Sequence, residues 1–175
     1  MPRQDSLHPQ DALVACKIYS FEAARERWTY ADLARDVGIS QGEAHNAVER
    51  CGRAQIITPG GAVSKRALRD LLCVAMPRVF YAVRGSRTTG LLTSVHAPPL
   101  EGKFDSTPAA PVVWEDADGT DEGDGLPPLY PSVPHAARGD HVVYELMALV
   151  DVIRIGGPQE RNQAAALIEK RLAGR

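Results

Sequence analysis

Apolar residues recur every three or four positions in two consecutive blocks between residues 29 and 53. This spacing predicts two amphipathic helices, with inward faces formed by Leu33, Ala34 and Val37 and then by Ala44, Ala47, Val48 and Cys51. Gly38 follows the first block, where a residue without a Cβ adopts a left-handed conformation at least cost. The pattern therefore predicts a helix, a sharp turn and a second helix.

Hydroxyl residues precede both blocks. Thr29 is placed to cap the first helix, with Asp32 three residues later, and Ser40 is placed to cap the second. Ile39 is expected to pack in the angle between the helices. Upstream, residues 11–26 predict an amphipathic helix that packs across the pair, and Trp28 is expected to close this small core.

The outward face of the second helix carries polar side chains suited to reading DNA. Gln and Asn can bond an adenine edge, Arg can bond guanine or phosphate, and a capped helix N-terminus favours a phosphate oxygen. The alternative is an ordinary helical hairpin with a solvated face, and two acidic residues weigh against a phosphate-lined groove. The predicted DNA-binding residues are Thr29, Ser40, Gln41, Glu43, His45, Asn46, Arg50 and Arg53.

A short apolar, β-prone segment and turn residues follow this helix. Residues 55–58 predict a strand and residues 59–61 a turn, as at the start of a wing. No strong second strand follows, so the wing is predicted to be abbreviated or absent. Ser64 is expected to cap a helix over residues 65–75, with Pro77 as its stop.

The first third of the chain resembles the winged-helix domains of MarR-type bacterial repressors. The resemblance covers residues 11–57 and rests on Tyr30, Leu33, Ala34, Gly38, Ser40 and the pair Ile56 and Ile57. It implies a homodimer that binds a palindromic operator. The long C-terminal half departs from that family's pattern.

Two β-prone runs follow the predicted fourth helix. Residues 78–84 predict a strand and residues 90–96 a second extended piece, which together predict a short hairpin. Arg78, Arg84 and Arg87 flank it. The hairpin could touch the DNA backbone in place of a wing, or it could be an edge hairpin protected by its charges.

Residues 97–137 are rich in Pro, Gly and acid, so no regular helix is expected there. Two apolar clusters around Trp114 and Tyr130 predict an extended arm that docks on its own domain or on a partner subunit. The acidic residues 115–124 could suggest calcium, but the spacing fails the EF-hand rule. A solvated or phosphate-mimicking acidic loop is the preferred interpretation.

The chain is predicted to end in a helical hairpin. Asp140 caps a strongly apolar first helix over residues 142–153, Gly156 and Gly157 break it, and Pro158 opens the second. The hairpin is expected either to cover the strand pair or to form a dimer interface, or both.

Charge and composition narrow the class of protein. Residues 1–96 hold 13 Lys and Arg against 9 Asp and Glu, whereas residues 97–175 hold 7 against 13, so only the first half suits phosphate. Cys16, Cys51 and Cys73 are expected to be buried free thiols. No segment predicts a signal peptide or a membrane span, so a cytoplasmic protein is expected. No catalytic, cofactor or metal motif is present, and an enzyme is not expected.

The sequence therefore predicts an α+β protein in three parts. These are a helix-turn-helix domain (winged-helix-like, 1–76), a β-hairpin with an extended acidic Pro-rich arm (77–137) and a C-terminal helical hairpin (138–175). The predicted function is a DNA-binding transcriptional regulator, a repressor that binds double-stranded DNA as a homodimer. The alternative is an antitoxin-type protein that represses its own operon and binds a toxin encoded nearby through its C-terminal half.

Overall fold

The structure, a computed structural model, describes residues 5–105, 107–108 and 110–174. It is an α+β fold with helices around a small three-stranded sheet. The helices are α1 (Pro9–Ala24), α2 (Tyr30–Val37), α3 (Gln41–Arg53), α4 (Lys65–Asp70), α5 (Met76–Val79), α6 (Val133–Gly139), α7 (His141–Ile155) and α8 (Pro158–Leu172); the strands are β1 (Arg87–Leu92), β2 (Val112–Glu115) and β3 (Asp121–Gly125).

Two central helices, α1 and α7, pack against each other and organise the core. Every residue from 10 to 21 in α1 and from 143 to 154 in α7 is buried. The sequence pattern predicts an exposed face on each, but α2, α3 and α4 cover α1, while α5, α6 and α8 cover α7. A single hydrophobic cluster therefore links all three predicted parts of the chain.

The two predicted caps and the glycine corner between α2 and α3 are present. Thr29 accepts a hydrogen bond from the Asp32 backbone N–H at 3.2 Å, and Ser40 accepts one from Glu43 at 3.1 Å. Gly38 is left-handed, with φ 78°. A Cβ at Gly38 would lie 2.9 Å from the His135 ring, so contact with α6 adds a second requirement for glycine.

After α3 the chain forms one isolated β-bridge where the sequence predicts a strand and an abbreviated wing. Ile57 and Val63 form one antiparallel bridge around the turn at Pro59 to Gly61. Ser64 then caps α4 as predicted, by accepting a hydrogen bond from the Ala67 N–H at 3.3 Å.

Pro77 does not stop the fourth helix, contrary to the sequence prediction. Residues Leu71–Ala75 form a π-helical turn, and α5 continues through Pro77 to Val79. In the widened turn the Met76 N–H donates to the Leu71 carbonyl, five residues back. Pro77 then falls in the first turn of α5, directly after the widened turn.

The predicted strand over residues 78–84 is wrong. Its first residues belong to α5, and residues 81–85 are extended but outside any strand. Phe80 is held instead by Arg154, whose Nε donates to the Phe80 carbonyl oxygen at 2.8 Å. This long-range contact overrides a β propensity that has no neighbouring strand to satisfy it.

The sheet instead joins β1 to two strands from the predicted arm. β1 pairs antiparallel with β2 (Gly90 opposite Glu115) and with β3 (Arg87 opposite Asp124), while β2 and β3 pair in parallel, so each strand contacts both others. A Cβ at Gly90 would overlap the Trp114 carbonyl. The ring of three mutually paired strands therefore requires a glycine at position 90.

The Pro-rich segment is folded in part, where the sequence predicts an extended arm. Its Trp114 anchor is buried as expected, but within strand β2, and part of the predicted acidic loop is strand β3. The prediction that residues 97–137 form no regular helix is also wrong. α6 begins at Val133 with Pro134 in its first turn, where proline is tolerated.

The C-terminal helical hairpin is confirmed. Asp140 caps α7 by accepting hydrogen bonds from the backbone N–H groups of Val142 and Val143, and α8 packs antiparallel on α7. Among the residues described, none of the helices has the length and apolar character needed to cross a bilayer.

Candidate nucleic-acid interface

Helix α3 is held by its inward face against α1 and α2. Ala44, Ala47 and Cys51 are fully buried there, and two of the three are small enough for close helix packing. Capping at Ser40 fixes the start of α3, and the left-handed Gly38 fixes its angle to α2. The orientation of α3 is therefore set by packing and caps at its N-terminal end.

The opposite face of α3 is open to solvent. Gln41, Glu43, His45, Asn46, Glu49 and Arg53 are exposed, and neither α6 nor the C-terminal hairpin covers them. Gln41, His45 and Asn46 make no side-chain hydrogen bond to any other described residue. Their donors and acceptors are available to a ligand, and amide side chains at such positions can read base edges.

Arg50, predicted to contact DNA, lies on the flank of this face and is bound within the protein. Its guanidinium forms two hydrogen bonds with the Asp11 carboxylate, at 2.7 and 2.8 Å, and Asp11 is completely buried. Asp11 also accepts the His8 backbone N–H at 2.7 Å. The structure thus makes Arg50 a link between α3 and α1 and leaves it little freedom to reach a base.

Three further predicted residues already have partners at the surface. Arg53 lies 2.7 Å from Asp5 and 3.8 Å from Glu49, both exposed, and such pairs open readily. The Thr29 hydroxyl donates to Asp32 at 2.7 Å, and hydrogen bonds from Thr29 hold the pKa of Asp32 below its usual value. Glu43 is part of the Ser40 cap.

An aromatic row beside α3 has no counterpart in the sequence prediction. The Tyr30 ring, at the start of α2, lies 5.2 Å from the His45 ring and 5.6 Å from Trp28. Tyr30 is exposed, so its hydroxyl extends the polar surface of α3. The position of Tyr30 one residue after a helix cap is the sequence signal that could have placed it there.

The buried Lys17 links α2 to the start of α7. Its ammonium lies 3.1 Å from Asp36 of α2 and 2.8 Å from Asp140, the cap of α7. Burial opposes the charge on Lys17, but its hydrogen bonds with the two carboxylates outweigh burial and raise its pKa. The sequence pattern places Lys17 among apolar positions and gives no sign of this ion pair.

The cysteines and acidic residues show no arrangement for metal binding. Cys16 and Cys51 are buried, Cys73 is half-buried, and all three are free; burial raises the pKa of Cys51 to about 12. Within the described ranges, no group of three His, Cys, Asp or Glu side chains is placed to hold an ion. In the acidic segment, Glu122 faces Arg87 at 3.3 Å.

Comparisons of the chain with protein-family models, with curated proteins and with solved structures found no match.

Proposed function

We propose that the protein binds double-stranded DNA through the exposed face of α3 and regulates transcription, as a repressor acting as a homodimer. The observation that supports this most directly is the availability of Gln41, His45 and Asn46. They lie on one face of a helix that is capped, oriented by a glycine corner and uncovered by other elements. A helix with these properties can enter the major groove.

Local charge supports contact with the duplex at the edges of this face. Residues 1–96 carry a net positive charge, and Arg25 and Arg27 are exposed in the segment that joins α1 to α2, whereas Arg35 is paired with Asp32 and Asp36 at 3.0 Å. In this proposal Arg25 and Arg27 contact phosphates, while the amides of α3 contact bases. Glu43 and Glu49 restrict the fit, because an acidic side chain in the groove is favourable only opposite a cytosine amine.

The test begins with selection of duplexes from a randomised 30-base-pair pool by the full-length protein. Asn46→Ala and Gln41→Ala are then measured on the enriched duplex. Each loss is expected to weaken binding by about 10- to 100-fold, because a bidentate amide–adenine contact discriminates by about 1–3 kcal/mol. The thermal unfolding midpoint should stay near that of the wild type, since both side chains lack internal partners.

Gln159→Ala provides the matched control, because Gln159 is an exposed amide side chain in the first turn of α8, outside the face of α3. It should leave affinity unchanged. Enrichment of no motif, or equal affinity of Asn46→Ala and wild type, would contradict the proposal. A symmetric enriched motif would support binding as a dimer, and a single half-site would oppose it.

The antitoxin alternative finds less support in the structure. An arm that blocks a toxin should present its acidic residues to the partner, but Glu122 and Asp124 lie in β3 facing Arg87 and Arg84 of the same chain. Glu122→Gln keeps the strand, so it can be tested for co-purification of a partner without loss of the fold.

A further inference from the structure

A cleft of about 370 Å³ lies where α5 and the extended residues after it meet α7 and α8. None of its lining residues belongs to α3, so it is separate from the candidate nucleic-acid interface. Three arginines line it, one from each element: Arg78 from α5, Arg154 from α7 and Arg161 from α8. No carboxylate is among the residues that line the cleft.

The charge of one arginine is already balanced. Arg154 is buried, and its guanidinium lies 2.7 Å from the buried Asp151 carboxylate. Arg78 and Arg161 form no salt bridge with any carboxylate in the described part of the chain. The cleft therefore carries about two uncompensated positive charges.

Two of the guanidinium groups are held in place by the backbone. Arg161 Nε donates to the Gly156 carbonyl at 2.7 Å, and Arg154 Nε donates to the Phe80 carbonyl at 2.8 Å. A hydrogen bond through Nε fixes the orientation of the planar guanidinium, and it leaves the terminal N–H groups of Arg161 available to another acceptor. Such pre-organised donors match the oxygen atoms of carboxylate and phosphate groups.

Uncharged groups complete the lining. The Asn162 amide and the Tyr81 hydroxyl add hydrogen-bond donors, and Ile153 contributes an apolar wall. The volume lies within the range of small-ligand pockets, which typically combine apolar walls with a few converging polar groups.

We propose that this cleft binds a small anion, a ligand with a phosphate or carboxylate group clamped between Arg78 and Arg161. Because the clamp joins α5 to α8, the ligand ties the exposed segment after α5 to the C-terminal hairpin. Tyr81, which also lines the cleft, is 76% exposed. The site does not depend on DNA binding and can be tested without it.

The experiment uses the full-length protein with inorganic phosphate and with succinate, each compared with sodium chloride at equal ionic strength. Calorimetry should show saturable binding to one site, and the unfolding midpoint should rise with it. Preference for phosphate or for succinate identifies the anionic group. Arg161→Gln and Arg78→Gln should each weaken binding at least about tenfold, because each removes a charged fork.

Arg66→Gln is the matched control, because Arg66 is an exposed arginine on α4 that forms no salt bridge in the described residues. It should bind both anions as the wild type does. Equal loss in Arg66→Gln and Arg161→Gln would show only non-specific screening and would overturn the site. Absence of saturable binding by both anions would overturn it as well.

Cys73 provides a second readout, since it lines the cleft while Cys16 and Cys51 are buried. Burial raises the pKa of Cys73 to about 11, so its alkylation is slow but measurable. Saturating anion should slow alkylation of Cys73 in the wild type and in Arg66→Gln, but not in Arg161→Gln. An unchanged rate in the wild type would contradict binding in the cleft.

Discussion

The corner formed by α2 and α3 and the ring formed by β1, β2 and β3 are built in opposite ways. In the corner, each cap and turn joins residues three or four apart, as in the pair Ser40 and Glu43. In the ring, pairing joins residues 12 to 37 apart, such as Val112 with Asp124 and Arg87 with Asp124. The corner is thus specified by neighbours in sequence, whereas the ring depends on the rest of the fold.

The corner and the ring also differ in whether their polar side chains are available to a ligand. Because local bonds and one buried face define α3, its outer face can stay polar and unpaired, and a ligand can use it. At the ring, by contrast, polar side chains form hydrogen bonds within the core. The buried Asp151 of α7 accepts hydrogen bonds from Trp114 of β2 at 2.6 Å and from Thr93, which follows β1, at 2.8 Å. Burial raises the pKa of Asp151, and Arg154 only partly offsets this.

The largest expected effect tests how strongly the corner also depends on a long-range ion pair to α1. Arg50→Ala leaves the fully buried Asp11 carboxylate without its cation, and removal of one partner of a buried pair costs about 3–5 kcal/mol of unfolding free energy. Chemical denaturation measures this loss. Arg53→Ala, which removes an exposed pair, should change little; equal losses would show that Arg50 has no special structural role.

The next effect compares a glycine from each region. Gly90→Ala should lower the free energy of unfolding by about 3 kcal/mol, because its Cβ would overlap the Trp114 carbonyl in the ring. Gly52→Ala in α3 meets open space and should raise stability by about 0.5 kcal/mol through helix propensity. Denaturant midpoints of the two variants should move in opposite directions; movement in the same direction would refute the contrast.

A smaller effect depends on pH and tests the link between the corner and α7. Burial opposes ionisation of Asp140, but hydrogen bonds from Lys17, Ser20 and the α7 backbone outweigh it and lower its pKa. Its stabilising contribution is therefore full above the ordinary pKa of 3.8 and is lost as pH falls through the lowered value.

The stability difference between wild type and Asp140→Asn should thus be constant near neutral pH and shrink below pH about 4. Denaturation curves from pH 7 to 3 measure it, and Asn keeps the helix cap so that the charge alone is removed. A difference that stays constant to pH 3 would exclude the Asp140–Lys17 pair as its source.

The smallest effect concerns the cap of α3. Ser40→Ala removes the acceptor for the Glu43 N–H and should cost about 1 kcal/mol. Thermal unfolding measures the change, and Ser40→Asp should restore most of it. Failure of Ser40→Asp to do so would show that the cap contributes through another contact.

The sequence predicts the structure correctly where a turn or a helix cap is formed by residues that are close neighbours in the chain. Gly38, Ser40, Ser64 and Asp140 each occupy the turn or cap predicted for them. It failed at residues 78–84, whose β-branched and aromatic residues predict a strand, because α5 and the Arg154 contact compete for them. It also missed α6 and β3 in the acidic, Pro-rich segment.

Within the candidate site, helical spacing predicted the outward face of α3 but did not predict that Arg50 pairs with Asp11. Arg50 lies at the edge of the buried face of α3, where an arginine can either face solvent or pair with a neighbouring helix. Its partner, Asp11, lies 39 residues away in the sequence, so helical spacing could not reveal the pair. Tyr30 and Lys17 are likewise defined by residues on other helices: Tyr30 packs beside His45 of α3, and Lys17 pairs with Asp36 of α2.

The sequence by itself determined the elements whose bonds close within a turn: the capped helices, the glycine corner and the C-terminal hairpin. Only the tertiary structure decided which charges are buried in pairs, which β-prone segment forms a strand and which arginines converge on one cleft. The reason is physical, since cap bonds act over three or four residues. Strand pairing and ion pairing take their partner from whichever distant segment the packed core brings near.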